Sequence, residues 1–197
     1  MKAGGKFLRL LFYHGQWKAF RGLDPIPIQH ISIGPNSIDV TLSHNVLIPH
    51  MIDAYDVRDP PHIGEGYENF VIPACGFILK PQGFILGCCR ERFDCDLRPV
   101  VSPYGAIAFA QEMHGRSTLG RIGLCVHATA GYGDYGFKGS FTLELFNVGP
   151  VSIILYPDMP IGQIEFNSVH LPEMYDGAYS GTNHYSEPVP PNIRGPL

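Results

Sequence analysis

Charge is scarce in this chain: Asp, Glu, Lys and Arg make up 16% of its 197 residues, where a soluble domain carries roughly 25%. The balance of 14 Lys and Arg against 18 Asp and Glu leaves a formal charge of −4, which gives no electrostatic reason to expect a nucleic-acid polymer as partner. No apolar run approaches the roughly 18 residues of a membrane span, so a soluble, cytoplasmic protein without a membrane partner is expected. The apolar patch in MKAGGKFLRLLFYHG is interrupted by Arg9 and lacks a small-residue cleavage site, so it reads as an amphipathic arm rather than a secretion signal. Cysteine is also short of a framework. Cys75, Cys88, Cys89, Cys95 and Cys125 are odd in number and lack CxxC spacing, which fits reduced thiols better than disulfides or a zinc site.

What the chain has in excess is glycine and proline, 23 and 18 residues, and both disfavour helix interiors. A helix bundle or coiled coil is excluded, and a mainly β protein with few short helices is expected. At this length, with 45% hydrophobic residues, one core is the simplest reading. The text SIDVTLSHNVLI alternates from Ser37, with Ile38, Val40 and Leu42 on one face and Ser37, Asp39, Thr41 and Ser43 on the other. Short apolar runs follow at 69–72, 76–80, 83–89, 105–110, 121–126, 140–148, 151–156 and 161–166, separated by Pro, Gly, Asn or Asp. Strands at that spacing point to a β-barrel or jelly-roll-like sandwich. The polar stretch 51–68 reads as a long loop. Three segments result. A basic arm covers 1–30, where Lys2, Lys6, Arg9, Lys18 and Arg21 face Asp24 alone; a β body covers 31–170; a Tyr-, Gly- and Pro-rich tail covers 171–197 and has too little apolar periodicity to build a core.

Several motifs fail on context. GYGDYG at 131–136 has dinucleotide-binding glycine spacing, but a strand-like GSFTLELFNV follows where a helix is required. GRSTLG at 115–120 has one residue too many for a nucleophile elbow. The nine histidines show no HxH, HExxH or HxE pattern, so each reads as a surface or packing residue and no metal ligand is assigned. Without HxE and PCxxC, a zinc-dependent nucleobase deaminase is excluded.

Two features remain. In GRSTLGRIG, Ser117 or Thr118 can cap a short helical turn, with Ser117 and Arg121 on one side of it. Flanked by Arg116 and Arg121, such a turn is either an anion site or a capped surface turn with solvated arginines. On the strand from Phe141, Phe141, Leu143 and Leu145 form an apolar face while Thr142, Glu144 and Phe146 point the other way. A lone strand Glu is usually solvated, but a carboxylate among aromatic and β-branched neighbours can also exchange protons near neutrality.

Taken together, IGPNSIDVTL (33–42), GRSTLGRIGL (115–124), HATAGYGDYGFKG (127–139), TLELFNVGP (142–150) and YPDMPIGQIEF (156–166) resemble the dCTP deaminase branch of the dUTPase-like superfamily. The resemblance implies a distorted jelly-roll-like β-barrel of the β-clip type and a homotrimer with active sites at subunit interfaces. It implies zinc-independent hydrolytic deamination of a deoxycytidine nucleotide, with Mg²⁺ present only as phosphate counterion. By the same resemblance Glu144 is the catalytic acid and base, and Ser117 and Arg121 help place the attacking water. Arg116, Thr118, Leu119 and Gly120 contact phosphate, and the backbone of Thr129 and Ala130 orients the water. Asp134 lies under the deoxyribose, Thr142 and Leu143 line the base pocket, Gln163 lies near the nucleotide, and Tyr175 or Tyr179 closes the site. Gly131 after Ala130 matches the bifunctional, dUMP-forming deaminases, where strictly dUTP-releasing enzymes carry a bulkier residue. In the tail, YDGAYSGT puts Ala178 and Thr182 where the family has a phosphate-binding lysine and a glutamine. Other readings are therefore a deaminase acting on dCMP or a 5-substituted cytosine nucleotide, a dUTPase alone, or a non-catalytic nucleotide-binding regulator. The family's N-terminal helix with its Leu-Ser-Asp start is not recognisable.

Overall fold

The alternation from Ser37 is realised as a strand in which Ile38 and Val40 are fully buried. The computed structural model describes residues 2–14, 17–21, 24–50, 53–56, 65–95, 100–102, 105–129, 131–170, 173, 175 and 188. In chain order the strands are β1 (Trp17–Arg21), β2 (Asp24–Pro25), β3 (Ile38–Thr41), β4 (Asn45–Pro49), β5 (Tyr67–Val71), β6 (Phe77–Leu79), β7 (Phe84–Cys88) and β8 (Glu91–Cys95). They continue as β9 (Val100–Ser102), β10 (Gly105–Gly115), β11 (Leu124–Cys125), β12 (Tyr132–Gly133), β13 (Thr142–Asn147), β14 (Ile153–Leu155) and β15 (Pro160–His170). Only two short α-helices accompany them among the described residues, α1 (Gly5–Tyr13) and α2 (Ser117–Gly120). A mainly β protein follows from this, as the glycine and proline content requires.

Two five-stranded sheets dominate. One runs β12-β10-β15-β3 with β9 beside β10, and the other runs β11-β13-β7-β4-β5. A single apolar cluster joins their inner faces, with Ile38, Val40, Met113, Ile164 and Phe166 from the first and Val46, Ile85, Leu143 and Leu145 from the second. Among the described residues the strand pairings are antiparallel throughout, and the longest ladder is β10 with β15, in register from Ile107↔His170 to Gly115↔Gly162. That ladder outruns the apolar runs that announced it at 105–110 and 161–166. Backbone hydrogen bonds continue where the sequence pattern has already turned polar.

The outer face of the second sheet carries a smaller buried group, Leu47, Tyr67 and Leu86. Tyr55 helps cover it, its ring tilted 6.2 Å from the Tyr67 ring and its hydroxyl donating to Gly66 O at 3.2 Å. Burial and the Tyr55 hydroxyl push the Tyr67 phenol up to about 12.

The first thirty residues differ most from the sequence expectation. Residues 5–13 form helix α1, although no capping side chain or acidic first turn announces it. Leu8, Leu11 and Phe12 enter the main core, and Phe12 meets Trp17 and Phe93 edge-on at 5.9 and 6.1 Å. A helix this short is marginal alone, so tertiary burial stabilises it. Strands β1 and β8, which no alternating run signalled, pair from Trp17↔Cys95 to Arg21↔Glu91. Glu91 closes that pair by accepting from Arg21 Nε and Nη2 and from the backbone and hydroxyl of Thr41.

Candidate active site

The stretch after β10 turns through α2, but not with the cap its serine and threonine suggested. Arg116 occupies the N-cap in extended conformation and no side chain caps the turn, so Ser117 and Thr118 lie inside the first turn, both exposed. The Arg121 N–H donates to Ser117 O at 3.1 Å and ends the turn, leaving the Arg121 side chain exposed. The uncapped turn borders an open cleft of about 520 Å³. Arg116, Ser117, Thr118 and Gly120 line one side, and Asp39, His127 and Gln163 line the rest together with the 124–126 strand. Leu119 turns instead toward the main core.

Electrostatics in the cleft centre on Arg116. Its Nη1 lies 2.9 Å from Asp39 Oδ1, and Asp39 Oδ2 accepts from the Ser32 hydroxyl at 3.1 Å. The Arg116 Nη1 atom is buried and faces Asp39 out of hydrogen-bond alignment. The ion pair holds the guanidinium at the cleft, where the side chain is 35% exposed and open to an anion. Gln163 faces the same space, its Oε1 accepting from Ser37 Oγ at 3.2 Å. His127 Nδ1 is likewise buried without a hydrogen bond. Neither Asp39 nor His127 was singled out from sequence, although the alternation of β3 already put Asp39 off the core face.

Glu144 occupies the middle of β13, where burial alternates as the strand period dictates: Leu143, Leu145 and Asn147 are buried and Thr142, Glu144 and Phe146 are half-buried. Across the ladder Glu144 stands directly opposite Leu86 of the outer buried group. Its Oε2 accepts the Ala128 N–H. Ala128 follows cleft-lining His127, and β11 pairs with β13 through Cys125↔Phe146. The carboxylate is thus tied by backbone to the wall of the cleft while resting on an apolar floor.

The remaining expected site residues are dispersed. Thr129 and Asp134 are exposed, and Thr142 shares the Glu144 face. The Tyr175 N–H donates to Tyr135 O at 2.8 Å and its ring meets Phe137 at 6.3 Å, nearly perpendicular, so Tyr175 docks on the loop that carries Asp134. Leu143 faces the other way. Its side chain is fully buried in the main core, on the face away from Glu144, and only its backbone remains to border a base pocket. Ala130, Ala178, Tyr179 and Thr182 lie outside the described residues. Asp134, Thr142, Glu144, Arg121 and Tyr175 are not among the residues lining the cleft.

A family profile described as dCTP deaminase-like matches residues 21–169. The chain belongs to the dCTP deaminase family. It is similar to the dCTP deaminase of Haloarcula marismortui, 35% identical over 172 residues that cover 85% of this chain and 83% of the relative. It is also similar to the dUMP-forming dCTP deaminase of Clostridium beijerinckii, 32% identical over 167 residues, 85% of each chain. In fold it is similar to the crystal structure of 2′-deoxycytidine 5′-triphosphate deaminase from Agrobacterium tumefaciens, with a TM-score of 0.55 at 16% identity. That match covers 84% of this chain and 46% of the other, so this chain spans under half the length of that solved one. Family membership makes it a hydrolase of the dCTP deaminase type with the dUTPase-like fold, as its motifs implied. None of the helices described is long and apolar enough to cross a membrane.

Proposed function

We propose that this chain deaminates dCTP to dUTP without zinc, with Glu144 as the proton-transfer group. The observation that carries this reading is the placement of Glu144, oriented by the Ala128 N–H, set against Leu86 and adjoining a cleft that Arg116 lines. The triphosphate, with Mg²⁺ as its counterion, lies against Arg116 and the uncapped turn of α2, where N–H groups and the guanidinium favour anions. Glu144 takes a proton from a water held near the 128–129 backbone, and the resulting hydroxide attacks C4 of cytosine. The tetrahedral intermediate receives that proton through Glu144, the C4–N4 bond breaks, and ammonia leaves a uracil nucleotide.

The assembly is proposed to be a homotrimer of β-barrel subunits, with each site completed at an interface. In its support, Glu144, Asp134 and Tyr175 lie outside the cleft lining of one chain. A second reading, release of dUMP and pyrophosphate, is favoured by Gly131. A Cβ there would lie 2.7 Å from the Met113 carbonyl oxygen and 3.2 Å from His127 Nε2, so the position has no room for the bulkier residue of dUTP-releasing enzymes.

Incubation with dCTP and, separately, dCMP, following ammonia, dUTP, dUMP and pyrophosphate, tests both readings. Ammonia with dUTP is expected from dCTP, and pyrophosphate in equal amount with dUMP would select the second. No ammonia from any cytosine nucleotide would overturn deamination.

A further inference from the structure

On the outer face of the β10–β15 ladder, Glu112 and His114 are two residues apart on one strand and Glu165 stands directly across from Glu112. We propose that Glu112, His114 and Glu165 bind a divalent transition ion of the Zn²⁺ type, at a structural site distinct from Glu144. One donor atom from each of the three lies within 4.8 Å of the others. His114 Nε2 is 3.5 Å from Glu112 Oε1 and 3.7 Å from Glu165 Oε2. Two ligand bonds of about 2.0–2.2 Å meeting at a tetrahedral angle put their donor atoms roughly 3.3–3.5 Å apart, so small side-chain rotations complete the geometry.

Three further observations point to an ion. The His114 Nε2 atom is buried and makes no hydrogen bond, although it is aimed between two carboxylates. The Asn167 side-chain amide donates to Glu112 Oε2 at 2.8 Å, which holds that carboxylate with its other oxygen toward His114, as outer partners of metal ligands do. A cation already sits there: Lys2 Nζ pairs with Glu165 Oε2 from an exposed position. A divalent ion would displace this ammonium and neutralise both carboxylates at once. The imidazole selects for zinc-like ions over Mg²⁺ or Ca²⁺, which prefer all-oxygen sites. Because His114 pairs with cleft-lining Gln163 and precedes cleft-lining Gly115, the ion would brace the strand pair that carries the cleft wall.

The test is calorimetric titration of chelator-stripped protein with ZnCl₂, with thermal melts and far-ultraviolet circular dichroism as checks on the fold. One saturable Zn²⁺ per chain is expected, together with a raised melting temperature. His114→Ala and Glu112→Gln should each weaken binding at least about tenfold while the metal-free variants keep the wild-type spectrum. Lys2→Ala should bind more tightly by removing the competing ammonium. If His114→Ala fails to fold, Glu112→Gln, which preserves side-chain shape, carries the same comparison. Absence of saturable binding in the stripped wild type, or binding that survives both ligand substitutions, would overturn the site, and unchanged affinity in Lys2→Ala would overturn displacement of the lysine.

Discussion

Glu144 stands directly across the β13–β7 ladder from Leu86, a side chain only 5% exposed. The pairing places a carboxylate on the apolar outer face of a sheet whose inner face is core. With its Oε2 held by Ala128 N–H, the group is both oriented and partly shielded from water, which suits proton transfer.

Glu144→Gln retains the shape and an acceptor for the Ala128 N–H but removes the base. The expected outcome is a folded protein with deamination slowed about 10²–10⁴-fold. Ammonia release under saturating dCTP, beside a thermal melt of the variant, checks it.

Asp39→Asn keeps the Ser32 contact but removes the charge that positions Arg116. An ion pair this exposed contributes about 0.2–1 kcal/mol, and here it acts on substrate binding. The KM for dCTP is expected to rise roughly two- to fivefold with a much smaller change in kcat.

Gly131→Val forces a side chain against the Met113 carbonyl and the His127 ring. A melting temperature lowered in line with about 1–3 kcal/mol of overpacking is expected. The ratio of pyrophosphate to ammonia formed from dCTP should fall as well, if this loop governs the second hydrolysis.

Asn147 is fully buried and uses its amide completely, donating to Leu79 O at 3.0 Å and Val151 O at 2.9 Å and accepting from Gly149 N–H at 3.0 Å. Asn147→Leu orphans three backbone groups at once. A loss of about 3 kcal/mol or more is expected by urea denaturation.

Alkaline stability follows from two buried acids. Tyr67 is raised from 10.0 to about 12, mainly by burial, and burial also raises the Cys89 thiol well above 9.0. Both hold their protons more tightly folded than unfolded, so their contribution is complete below the unfolded values and is lost as pH rises toward the folded ones. Unfolding free energy should fall above about pH 9, and Tyr67→Phe should flatten the part between pH 10 and 12.

The strand content was legible because period-two alternation and turn residues are local signals: β3, β7, β13 and β14 lie where apolar runs announced them. Helix α1 and the β1–β8 pair were not, because α1 lacks caps and its stability comes from burying Leu8, Leu11 and Phe12 against residues distant in sequence. The burial of Leu143 and the outward position of Glu144 were legible for the same local reason, because adjacent strand residues point to opposite faces.

By itself the sequence determined a mainly β chain, the off-core position of Glu144 and, through the spacing of its motifs, the family. Tertiary structure alone decided that Asp39 holds Arg116, that Ala128 holds Glu144, and that Glu112 and His114 meet Glu165. Each of these is a contact between separate chain segments that strand register brings together, and periodicity within a segment carries no information about which partner lies across the ladder.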